Sequence, residues 1–108
     1  MILVNGEVRF AAGEIERLRP ALERNIAATR EEPGCVHYAY AVDLLDPDRL
    51  RVSEQWEDQA SVDAHMAAPH MAEFRAACAR AKVESAAIHA YEGHYLRTLI
   101  GAAPADQG

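Results

Sequence analysis

Stretches with strand character and stretches with helical spacing alternate along this chain, and their order restricts the fold more than any other feature. Residues 2 to 10 are rich in β-branched and apolar types and end at Ala11-Ala12-Gly13, a strand followed by a turn. Ile15, Leu18, Leu22, Ile26 and Thr29 then recur at three- and four-residue steps, the mark of a helix with one buried stripe over 14–30. Pro20 falls inside that pattern and predicts a bend rather than an end, because the stripe continues past it. Glu31-Glu32-Pro33-Gly34 stops the helix. From Cys35 to Leu44, Val36, Tyr38, Tyr40, Val42 and Leu44 alternate onto one strand face. Asp46-Pro47-Asp48 reads as a turn, and Arg49 to Trp56 returns with Leu50, Val52, Glu54 and Trp56 on one face.

Residues 61–67 and 69–81 read as two short helices separated at Ala68-Pro69, and 83–99 as a last strand. Strand, helix, strand, strand, helix, strand is the order of a ferredoxin-like split βαβ unit of the α+β class, a four-stranded antiparallel sheet with helices on one face. The other face needs cover. Leu3 opposite Ile2 and Val4 makes the first strand apolar on both sides, which predicts a homodimer joined sheet to sheet. One domain over 1–100 is expected, with a flexible tail over 101–108 that lacks anchoring apolar groups.

Composition narrows the function. A domain of 108 residues hides only about 60 to 70% of its unfolded surface, so its core is modest. The formal charge of -6 and the lack of a basic stripe argue against nucleic acid. No apolar run approaches the roughly 18 residues of a membrane span, and the first residues carry no export signal, so a cytoplasmic protein is expected. Cys35 and Cys78 match neither a redox pair nor a zinc ribbon and read as free thiols. His37, His89 and His94 do not cluster, with His89 and His94 on opposite faces of the last strand, and no His-Glu-x-x-His pattern occurs; no metal site is expected.

Three stretches together carry a family resemblance: Glu31-Glu32-Pro33-Gly34-Cys35-Val36-His37-Tyr38, Ser53-Glu54-Gln55-Trp56-Glu57, and residues 64–74, Ala-His-Met-Ala-Ala-Pro-His-Met-Ala-Glu-Phe. Over about residues 1 to 97 the chain resembles the antibiotic biosynthesis monooxygenase domain, in particular its quinol monooxygenase branch. The resemblance implies a dimeric α/β barrel with a pocket between sheet and helices. It also implies oxygenation of a small quinol-like or polyphenolic aromatic by O2 without metal, flavin or haem. An electron-rich phenol, once deprotonated, can itself reduce dioxygen, so the protein must bind it, take a proton and exclude water. Haem-degrading relatives pair a first-strand asparagine with a helix tryptophan and an iron-binding histidine. Asn5 fits the first, but His65 and Arg75 stand near the other two positions, so haem is not expected.

Candidate site residues follow. His65 and His70 would point about 140° apart on one continuous helix, but a break before Pro69 lets both rings aim at one cavity, where imidazole suits a phenolic proton. Their plainer use is to cap a helix end. Glu54, beside Trp56 on one strand face, can orient a histidine, while Trp56 offers a wall to the substrate or simply fills the core. Tyr38 can stack on a flat substrate or pack across strands, and Asn5, out of place in an apolar strand, faces the pocket or bonds across the dimer. The catalytic set is thus His65, His70 and Glu54, and the substrate-binding set Asn5, Tyr38 and Trp56. A small-molecule isomerase and a non-catalytic binding or stress-response dimer remain alternatives.

Overall fold

The computed structural model describes residues 1–105. Strands β1 (Ile2–Phe10), β2 (Cys35–Asp43), β3 (Asp46–Trp56) and β4 (Val83–Glu92) form one antiparallel sheet in the order β2-β3-β1-β4. Helices α1 (Glu14–Arg30), α2 (Gln59–Met66) and α3 (Pro69–Ala79) complete the chain. Val4 and Phe10 of β1, Leu50, Val52 and Trp56 of β3 and Tyr38 of β2 are buried beneath the helices. The expected α+β sheet with helices on one face is what forms. Among the described residues no helix is long and apolar enough to cross a membrane.

The helix stripe explains how α1 docks. Ile15, Leu18 and Leu22 are buried against Phe10 and Leu50, with Phe74 of α3 packed alongside. Each such side chain, once buried, contributes roughly 1.5–3 kcal/mol. Pro20 lies inside α1 and is exposed, so the carbonyl it deprives of a partner can turn to water. A second cluster of Val4, Tyr38 and Trp56, flanked by Ile2, Ile26, Cys35 and Val62, fills the other end of the same layer.

Several expected boundaries and faces are corrected by the pairing. The hairpin turns at Leu44-Leu45, and Asp46-Pro47-Asp48 belongs to β3. Asp43 Oδ1 accepts the Leu45 N–H at 2.8 Å, so an aspartate closes the turn from its first position. A register shift between Val42 and Asp43 gives Pro47 room outside the ladder. A second shift between Cys35 and His37 leaves Cys35 and Tyr38 both packed under the helices, so Val36 does not share the face of Tyr38. β4 ends at Glu92 rather than Leu99 because its partner runs out: Glu92 pairs with Ile2, and the Gly93 N–H then bonds to the Met1 carbonyl at 2.9 Å.

The uncovered sheet face is not uniformly apolar. At one end Arg9 pairs with Asp46 at 2.9 Å and with Glu84, Arg49 with Glu7 at 2.7 Å, and Arg51 with Asp43 at 2.7 Å. At the other end Met1, Leu3, Val36 and Tyr95 border a cavity of about 550 Å³. β4 is exposed along its whole length.

Gly34 joins α1 to β2 with φ +83°, and a Cβ placed there would lie 2.0 Å from Ser61 Oγ. Both the left-handed backbone and the close approach of α2 require glycine here. Gly34→Ala is expected to lower unfolding free energy by about 1–3 kcal/mol, the usual range for overpacking, as read by urea denaturation. A neutral result would mean that α2 does not sit against this turn.

Candidate active site

Glu32 sits in the turn that ends α1. Its N–H donates to the Thr29 carbonyl at 3.0 Å and its carbonyl accepts from Cys35 N–H at 3.2 Å, so the backbone beneath the carboxylate is fixed at both ends. Asp58 caps α2, accepting the Ser61 N–H and the Ser61 hydroxyl, both at 2.8 Å. That helix ends at Met66, Ala68 takes an extended conformation, and Pro69 opens α3 at a position where its missing N–H costs nothing. The break brings the two histidines to one carboxylate. His65 Nδ1 lies 2.9 Å from Glu32 Oε2, and His70 Nε2 is hydrogen-bonded to Glu32 Oε1.

Asn25 extends the chain of contacts. Its Nδ2 donates to the Tyr38 hydroxyl at 3.1 Å and the Tyr40 hydroxyl at 3.0 Å, while Oδ1 lies 3.0 Å from His70 Nδ1. Because Oδ1 can only accept, His70 Nδ1 carries a hydrogen, and Nε2 is the ring atom that meets Glu32. Glu32 Oε2 likewise accepts from His65 Nδ1–H, which leaves the lone pair of His65 on Nε2. A carboxylate holding the far nitrogen of an imidazole is how a histidine is fixed in its basic tautomer and stabilised once it takes a proton. The His65 ring is 3% exposed and rests against Trp56 at a centroid distance of 4.7 Å and Tyr38 at 5.5 Å.

The tyrosines are not bases. Burial pushes the Tyr38 phenol far above its ordinary range, and burial pushes Tyr40 up to about 12. Both stay neutral near pH 7 and serve as hydrogen-bonding anchors for Asn25. Burial likewise raises both thiols, Cys35 and Cys78, so neither is an activated nucleophile.

The remaining expected residues are placed differently. Glu54 lies beneath the helices but bonds to its strand neighbour, accepting Trp56 Nε1–H at 2.8 Å; the carboxylate that orients the histidines is Glu32. Trp56 has no exposed surface and backs His65 from within the core rather than facing a cavity. Asn5 pairs with Ser53 and His89 on the exposed sheet face, across the sheet from both histidines. His94 lies beyond β4, so the expected opposition of His89 and His94 on one strand does not arise. Glu32 and Asn25 are the site residues that reading the sequence missed. Asn25 stands three residues after Leu22 and seven after Leu18, on the buried stripe, and a polar residue there was a usable signal.

Burial raises the Glu54 carboxyl, opposed by the Trp56 bond and the nearby His65. A carboxyl raised by folding disfavours the folded state above its folded pKa, and this penalty vanishes below its ordinary value near 4.5. Glu54→Gln in metal-stripped protein is therefore expected to be more stable than wild type at pH 7, with the difference disappearing below about pH 4.5. Thermal melts across that range check it; a variant less stable at pH 7 would show that the charge itself is needed for folding.

Two cavities border the cluster. One of about 50 Å³ touches Asn25 and His70, too small for an aromatic ring. The other, of about 400 Å³, is bordered by Glu32, Pro33, Ser61, Ala64, His65 and Ala68 and is open to solvent on the helical side. The space between sheet and helices, where a pocket was expected, is filled by Trp56 and Tyr38.

The sequence pattern that defines antibiotic biosynthesis monooxygenases matches residues 1–77. The chain belongs to that family. The probable quinol monooxygenase YgiN of Escherichia coli K12 is 31% identical over 81 residues, covering 66% of this chain and 78% of YgiN. An uncharacterised protein of Synechocystis is 27% identical over 73 residues, and this chain spans 50% of its length. Among solved structures, a Deinococcus radiodurans protein provisionally assigned to the antibiotic biosynthesis monooxygenases superposes with a TM-score of 0.85 at 28% identity. The match covers 94% of this chain and all of that one (100%). A Shewanella oneidensis protein superposes with a TM-score of 0.75 at 30% identity, covering 83% and 87%. Membership brings monooxygenase-like chemistry at the level of the family; the substrate is not given by it.

Proposed function

We propose that this antibiotic biosynthesis monooxygenase oxidises a quinol-like or polyphenolic aromatic with O2, using no resident cofactor, with His65 Nε2 as the base. The observation that carries this reading is the contact of His65 Nδ1 with Glu32 at 2.9 Å, which turns Nε2 away from the carboxylate in a histidine that borders an open cavity of about 400 Å³. His65 takes a phenolic proton, Glu32 stabilises the imidazolium, and the electron-rich phenolate reduces dioxygen. One oxygen atom enters the ring and the other leaves as water, both electron pairs coming from the quinol. Positioned proton abstraction of this kind contributes about 10²–10⁴-fold. Similarity to YgiN supports a quinol as the substrate class.

The test is oxygen consumption by metal-stripped protein with menadiol, compared with the autoxidation blank. Uptake above the blank is expected; uptake equal to it would remove the oxygenase reading, and turnover of a hydroxyketone without oxygen would put an isomerase in its place. Thermal stabilisation by quinones without turnover would point to the binding dimer.

The same reading includes a homodimer in the cytoplasm, formed through the uncovered sheet face into an α/β barrel. Leu3, Val36 and Tyr91 supply its apolar end, and the arginine and carboxylate pairs its polar end. Light scattering at micromolar concentration is expected to give twice the chain mass of 11.9 kDa. A monomer would contradict sheet-to-sheet assembly.

A further inference from the structure

We infer that Glu32, His65 and His70 form a binding site for a borderline divalent cation of the zinc class, and that loading it turns His65 off as a base. The second clause rests on the oxygenase reading; the first does not. The three side chains come from the turn after α1, from α2 and from α3, and each offers one ligand atom within 4.8 Å of the others. Two imidazoles and one carboxylate are the donor set of three-coordinate protein sites for zinc and its neighbours, which keep an open position for water. Magnesium and calcium, which prefer all-oxygen ligands, do not suit it.

A separate observation points the same way. Histidines that ligate a metal usually give their other ring N–H to a fixed acceptor, which aims the free nitrogen at the ion. His70 Nδ1 donates to Asn25 Oδ1 at 3.0 Å, and Asn25 is itself anchored by Tyr38 and Tyr40. His70 Nε2 is thereby aimed at Glu32, where the ion would take the place of the hydrogen bond between them. The cavity beside Glu32 and His65 leaves space for a further ligand.

The protons balance simply. When the cation enters, the hydrogen of the His70–Glu32 bond leaves to solvent as a proton, because both atoms must be free of it to coordinate. The His65 proton moves from Nδ1 to Nε2, so that Nδ1 can coordinate. With Nε2 protonated, His65 has no lone pair to offer a phenol. Metal binding and proton abstraction thus exclude one another, a linkage that makes affinity fall as pH falls.

The experiment titrates Zn²⁺ into metal-stripped protein against a chromogenic chelator and records the visible spectrum with Co²⁺, for wild type, His70→Gln and Glu32→Gln. Circular dichroism confirms that each variant is folded. Wild type is expected to bind about one ion per chain through nitrogen and oxygen donors, and each variant to lose at least about tenfold in affinity. No binding by wild type would overturn the site. So would affinity unchanged in both folded variants, or a cobalt–thiolate band that assigns the ion to Cys35 or Cys78. Oxygen uptake is read separately. Zinc that binds here yet leaves menadiol-dependent uptake unchanged would overturn the switch. Binding lost in the variants while metal-free wild type consumes no oxygen would support the site and remove the oxygenase reading.

Discussion

Replacing His65 by alanine is expected to lower menadiol-dependent oxygen uptake of the metal-stripped protein by about a hundredfold or more, the effect of removing a positioned base. The expectation follows from geometry rather than from the residue type. His65 is buried, packed against Trp56, and bonded through Nδ1 to a carboxylate whose backbone is held at both ends. Glu32→Gln keeps the shape but no longer offers a carboxylate to both rings, so the imidazolium loses its counter-charge and uptake is expected to drop at least tenfold. The oxygen electrode decides both, with melting temperatures measured alongside to exclude loss of fold. An alanine variant as active as wild type would place the base elsewhere.

Trp56→Ala is expected to cost about 3–5 kcal/mol of unfolding free energy, the range for deleting a large buried aromatic. Trp56 has no exposed surface, packs with Val4 and Tyr38, and donates its indole N–H to Glu54 at 2.8 Å. Its removal opens a cavity under His65 and leaves the half-buried Glu54 carboxylate without its donor. Domains of this size hold only about 5–15 kcal/mol in total, so the variant should lie close to the edge of folding. Urea unfolding measures the loss. A cost below about 1 kcal/mol would mean that the indole is not the floor of this core.

Periodicity carried most of the fold and little of the site. The stripe of Ile15, Leu18 and Leu22 and the shared face of Leu50, Val52 and Trp56 were legible because burial on one side of an element imposes a repeat on its sequence. The break at Ala68-Pro69 was legible for the same local reason. The hairpin tip was not: Leu44 and Leu45 are 101% and 95% exposed, so they look like strand residues while acting as the turn. The bulge that sends Val36 to the other face leaves no mark in composition, since it is set by pairing with β3.

Glu32 shows why the centre of the site was harder to see. In sequence it belongs to the glutamate, proline and glycine run that stops α1, and that role explains it fully. Only the angle at which α2 and α3 return across the turn gives it two imidazole partners, 33 and 38 residues away. Glu54 was the natural orienter by sequence because it shares a strand face with Trp56, yet that proximity gives its carboxylate the indole as a donor instead. Asn5 could be placed on a strand but not on a face until the register with Ser53 and His89 was fixed.

The most direct test of the account is a side-by-side oxygen-consumption measurement of metal-stripped wild type, Glu32→Gln and His65→Ala with menadiol. The account predicts uptake above the autoxidation blank in wild type, a reduced rate in Glu32→Gln and a rate near the blank in His65→Ala. Equal rates in all three proteins, whether at the blank or above it, would contradict a base oriented by Glu32.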